Sequence, residues 1–198
     1  MEPQFYKGNR DAFMEKLAPG SLALFFSGVP VRKTADEDYA YFANRNFVYL
    51  TGMEQKDTIL MLEKDASGYR ETLFILPPNL IEERWTGARM KPEEIEAASM
   101  ISNFAYRDTF EEELKKVLAS GRIEKVYLDI DRMDGQVVVS GADSMETFLK
   151  QEYPNLLIEN SLPILKKLRL IKKPCEIRAM EKAQEITKAG ILRSEEHT

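Results

Sequence analysis

Six short apolar runs set the limits of what this chain can fold into. Ser21–Phe26, Phe47–Leu50, Thr58–Leu62, Glu71–Leu76, Lys125–Ile130 and Leu156–Ile158 have the length of buried strands rather than of helices. Asp65-Ala66-Ser67-Gly68 suits a tight reversal, so the third and fourth runs read as a hairpin, ended by Pro77-Pro78. Elsewhere the apolar spacing is helical. Asn9 is placed to cap a first helix with Phe13, Met14 and Leu17 on one face, stopped by Pro19-Gly20. Pro92 to Met100 reads as a helix. Asp108 is placed to cap another with Phe110, Leu114, Val117 and Leu118 inward, and Ala142 to Glu152 is a fourth. Hairpins dominate the first half and strand–helix alternation the second. The expected class is α/β, a mixed sheet with helices on both faces.

Composition excludes several functions. A net charge of −5 argues against a binder that works by neutralising phosphates, so no nucleic-acid partner is expected. No apolar run approaches the ~20 residues of a membrane helix. The N-terminus shows no secretory pattern. The single cysteine, Cys175, rules out an internal disulfide framework, and the expected compartment is the cytoplasm. With no base or resolving thiol in its sequence neighbourhood, Cys175 is not read as a nucleophile.

The end of the chain reads differently from the rest. Residues 161–173 carry Lys166, Lys167, Arg169, Lys172 and Lys173 and read as a solvated linker. Pro174 then opens a helix, with Glu176 in its first turn and Ile177, Met180, Ala183 and Ile186 on one face. That stripe has nothing near it in sequence to pack against. The expected organisation is a domain over 1–160, a linker over 161–173, and the first helix of a further, missing domain over 174–192. Arg193-Ser194-Glu195-Glu196-His197-Thr198 matches a translated sequencing adapter, AGA TCG GAA GAG CAC ACG, and 193–198 is read as a non-native tail.

Four stretches carry a resemblance. They are Arg10 to Ser21; Asp38-Tyr39-Ala40-Tyr41 with Asn46-Phe47-Val48-Tyr49-Leu50-Thr51-Gly52; Glu82-Glu83-Arg84-Trp85-Thr86-Gly87-Ala88-Arg89; and Leu168 to Lys173 followed by Glu176-Ile177. In order and spacing they resemble the amino-terminal domain of the aminopeptidase P, prolidase and creatinase family, its aminopeptidase P branch most closely. The resemblance implies a ribonuclease-H-like mixed sheet of about six strands. It also implies a parent Xaa-Pro aminopeptidase, which removes the N-terminal residue when proline comes next. Such enzymes use two divalent metal ions, commonly manganese, held by two Asp, one His and two Glu in a following catalytic domain. None of those ligands can be placed on this chain, so the domain alone is expected to be inactive. The implied partners are its own catalytic domain, proline-containing peptides and further copies in a homo-oligomer. The alternatives are a prolidase or creatinase-like hydrolase, and a non-enzymatic peptide- or histone-binding module of the same fold. In one departure, Phe42 stands where family members often carry Arg, with Arg45 further on.

Two residues are carried over as contacts. Trp85, the only tryptophan, is by composition a core or subunit-contact aromatic. The resemblance implies that it lines a neighbouring subunit's substrate pocket. Asp38, with Asp36 and Glu37, forms an acidic loop that by itself is solvated charge; the resemblance implies that it faces a neighbour's cleft. Other candidates fail. His197, the single histidine, sits in the suspect tail. Asp129-Ile130-Asp131-Arg132-Met133-Asp134-Gly135 invites a calcium loop, yet its fifth ligand would be Met133 and its turn glycine Asp134. As a nuclease site it lacks acids converging from other strands.

Overall fold

The computed structural model describes residues 1–132 and 139–195. Met133, Asp134 and Gly135 of the calcium-loop reading, and Glu196, His197 and Thr198 of the tail, lie outside the described residues.

The chain begins with α1 (Pro3–Glu15), β1 (Ser21–Phe26), a small antiparallel hairpin of β2 (Arg32–Thr34) and β3 (Glu37–Asp38), and α2 (Arg45–Thr51). The central hairpin is β4 (Ile59–Asp65) and β5 (Gly68–Ile75). Then come α3 (Leu80–Thr86), α4 (Pro92–Ser99), β6 (Phe104–Tyr106), α5 (Phe110–Ala119), β7 (Lys125–Leu128) and α6 (Gly141–Glu152). The described chain closes with β8 (Leu157–Asn160), α7 (Leu162–Leu170) and α8 (Pro174–Glu195). Six strands form one mixed sheet in the order β6-β5-β4-β1-β7-β8. Only β4 runs against its neighbours: β1 and β5 pair with it antiparallel, and the other ladders are parallel. The carboxyl ends of the five parallel strands therefore share one edge with the start of β4.

Alternation along the strands supplies two cores. Ala23, Phe25, Leu60, Leu62, Leu73 and Ile75 face the layer holding Phe13 and Met14 of α1, Phe47 and Leu50 of α2, Ile95 of α4 and Leu165 of α7. Leu22, Leu24, Ile59, Met61, Phe74, Val126 and Leu128 face Phe110 and Leu114 of α5 and Leu149 of α6. Among the described residues no helix is long and apolar enough to cross a membrane.

Four local expectations need correction. Phe47–Leu50 lies in a helix rather than a strand. Asn44 caps it, its side chain accepting from the Asn46 and Phe47 amides at 2.8 and 3.0 Å, and Gly52 ends it in the left-handed region at φ 75°. The first helix starts at Pro3, so Asn9 is a buried mid-helix residue rather than a cap. Asp108 lies within a 3-10 turn, Arg107–Thr109, leading into α5. Residues 161–173 are not a bare connector. Most of the stretch is α7, pinned by fully buried Leu165.

Candidate functional site at the carboxyl edge of the sheet

Two supports rise from the carboxyl edge, one after β1 and one after β5. The first is the β2–β3 arm. Tyr41 anchors its return, its hydroxyl lying 3.1 Å from the Ser27 carbonyl oxygen and 3.2 Å from that of Gln55. Burial pushes the Tyr41 phenol above its ordinary value, so it stays a donor at neutral pH. Asp38 sits in β3, with its carboxylate 3.2 Å from Arg32 across the hairpin. Arg45 pairs with Glu54 at 3.0 Å and lies over the Phe42 ring.

The second support is α3, which has no buried residue. It is held by polar contacts instead. Asn79 caps it, its side chain accepting from the Ile81 and Glu82 amides at 3.2 Å each. Lys56 grips Glu82 at 2.9 Å, and Arg89 joins Glu82 to the Pro77 carbonyl. The helix thus presents Leu80, Ile81 and Trp85 to solvent at 78, 77 and 86% exposure. Trp85 is therefore not a core aromatic within this chain. Lys56 and the Gln55 carbonyl are sequence neighbours, so the segment before β4 ties both supports together. The supports of Asp38 and Trp85 are joined, but the side chains do not pair: Asp38 takes Arg32, and Trp85 stands in water.

A cleft that no sequence motif marks lies between the foot of the first support and helices α5 and α6. It encloses about 610 Å³ over Phe26, Ile59, Phe110 and Phe148, with the Asp57–Arg107 pair (3.0 Å) and Asp129 also in its lining. Asp129 is buried, and both its oxygens accept from the Asn46 side-chain amide at 2.9 and 3.0 Å. Burial holds this carboxyl above the usual range, while the Asn46 and Asn44 amides oppose the rise. Among the described residues no three His, Cys, Asp or Glu side chains gather as a metal site would need.

The family model for the aminopeptidase P N-terminal domain matches residues 6–127. The Xaa-Pro aminopeptidase of Escherichia coli K12 is 27% identical over 198 residues, covering 98% of this chain and 44% of the relative. A candidate aminopeptidase P from Bacillus anthracis superposes with a TM-score of 0.92 at 30% identity, over 96% of this chain and 46% of that one. Aminopeptidase P from E. coli with the inhibitor Pro-Leu gives 0.79 at 26% identity, over 94% and 43%. The chain spans less than half the length of these relatives.

Proposed function

This chain belongs to the aminopeptidase P N-terminal domain family, and on that premise we propose that it is the non-catalytic half of a metal-dependent Xaa-Pro aminopeptidase. The domain runs through α7, whose Leu165 lies in its core, and α8 is the entry to a catalytic half. That half would hold two divalent ions, manganese being the expected metal, which polarise the scissile carbonyl. The enzyme would be a cytoplasmic homo-oligomer.

One observation carries the reading. A helix with no buried residue is nonetheless fixed by a cap and two cations, and it holds an indole out into water. Exposed apolar groups on a fixed post mark a contact surface rather than a loosely packed core. A flat ring there suits the pyrrolidine of a proline-containing peptide in a neighbour's cleft. Asp38, on the adjoining support, would meet a cation across the same interface.

The test is Trp85→Ala in the whole enzyme. The fold should be undisturbed because the ring is exposed. Removing an aromatic anchor should lower kcat/KM for a Xaa-Pro peptide about tenfold, with Trp85→Phe retaining most of the activity. Unchanged kinetics in Trp85→Ala would remove the residue from the pocket.

A further inference from the structure

The cations of residues 161–173 do not all face solvent, and two of them end on a pair of buried asparagines. Asn9 donates to the Tyr49 carbonyl at 2.8 Å, which leaves its side-chain oxygen to accept from Lys173 Nζ at 2.7 Å. Asn46 donates to Asp129, which turns its oxygen to Arg169 Nη1. An amide whose nitrogen is already committed has one direction left for its oxygen. Each asparagine is thus aimed from behind and presents its acceptor to one cation.

Two aromatic rings repeat the arrangement. Phe5 and Tyr49 meet edge to face, with centroids 5.7 Å apart. Lys173 Nζ lies 5.2 Å from the Phe5 centroid and Arg169 Cζ 5.7 Å from that of Tyr49. The Tyr49 hydroxyl also donates to the Leu168 carbonyl at 3.3 Å. Lys173 is at the same time the residue from which α8 starts. Its amide donates to Glu176 at 2.8 Å, and its carbonyl accepts from the amides of Glu176 and Ile177. The root of α8 is therefore held by the residue that precedes it, whereas Ile177 to Ser194 are exposed.

We propose that Asn9, Asn46, Arg169 and Lys173 are positioning residues that fix the direction in which α8 leaves the domain. A helix of 22 residues is about 33 Å long, so ten degrees of play at its root would move its far end by about 6 Å. A fixed root makes α8 a bracket, and whatever packs on Ile177, Met180 and Ile186 is set in one orientation against the sheet. This step rests on the reading above only where that packing partner is the catalytic half.

Pulsed EPR tests the bracket directly. Spin labels at Lys115→Cys on α5 and Gln184→Cys on α8, in a Cys175→Ser background, should give one narrow distance distribution. Arg169→Met with Lys173→Met should broaden it while circular dichroism shows the domain still folded, and Lys173→Arg alone should keep it narrow. A distribution that stays narrow in the double Met variant, or is already broad without it, would overturn the proposal. In the whole enzyme the double variant should lose about tenfold in kcat/KM with metal content retained. A broadened helix with unchanged turnover would leave the bracket standing and count instead against α8 as the entry to the catalytic half.

Discussion

Arg10→Met is expected to cost about 3–5 kcal/mol of folding stability. The guanidinium is fully buried. Its Nε and Nη2 reach the Glu71 carboxylate at 2.7 and 3.1 Å, Nη1 reaches the Leu50 carbonyl at 2.8 Å, and Nη2 also reaches that of Ser99 at 2.9 Å. One side chain thus joins α1 to the end of α2, to β5 and to the end of α4. Methionine fills much of the stem volume, so the loss is electrostatic rather than a cavity. It strands a mostly buried carboxylate and two carbonyl oxygens without their donor. Urea unfolding would measure it, and Arg10→Met with Glu71→Leu should recover part of the loss by removing the unpaired charge. A cost below about 1 kcal/mol would mean that water satisfies these groups and that the buried pair is not a structural joint.

Gly52→Ala is expected to cost about 2–4 kcal/mol, from left-handed backbone strain plus overpacking. Gly52 sits at φ 75°, and a Cβ there would come within 2.5 Å of the Tyr6 ring. Gly121 provides the control. It has φ 68°, and a Cβ added there would meet nothing within 4 Å, so Gly121→Ala should cost only about 1 kcal/mol of backbone strain. The difference between the two midpoints isolates the Tyr6 contact. Equal losses would show that the ring moves aside freely and that α1 and α2 do not meet there tightly.

Much of this architecture is legible in the amino-acid order alone. The β4–β5 hairpin, β1, β7, β8 and the helices around α5 and α6 follow from apolar period and turn residues. Phe47–Leu50 misleads because a four-residue apolar run has no decisive period. The correct signals flank it, Asn44 at the cap and Gly52 at the stop. Helix α3 escapes for the opposite reason: with nothing buried it has no apolar period, and only Asn79 and Gly87 bracket it. Strand β6 is too short, at three residues, to show a pattern.

The site divides along the same line. Trp85 and Asp38 are candidates through the resemblance alone, and the structure adds the supports that hold them. Asn9 and Asn46 are invisible as acceptors because their cations lie 164 and 123 residues away. Local sequence makes Asn9 look like a helix cap. Its actual partners, Tyr49 and Lys173, exist only once the chain has folded.

On the proposed reading, this chain serves an Xaa-Pro aminopeptidase without itself cleaving peptides. The most direct measurement is turnover by the purified 198-residue chain, with manganese, on a dipeptide ending in proline. No hydrolysis above the blank is expected at any metal concentration. Hydrolysis that rises with manganese and is abolished by a chelator would contradict it.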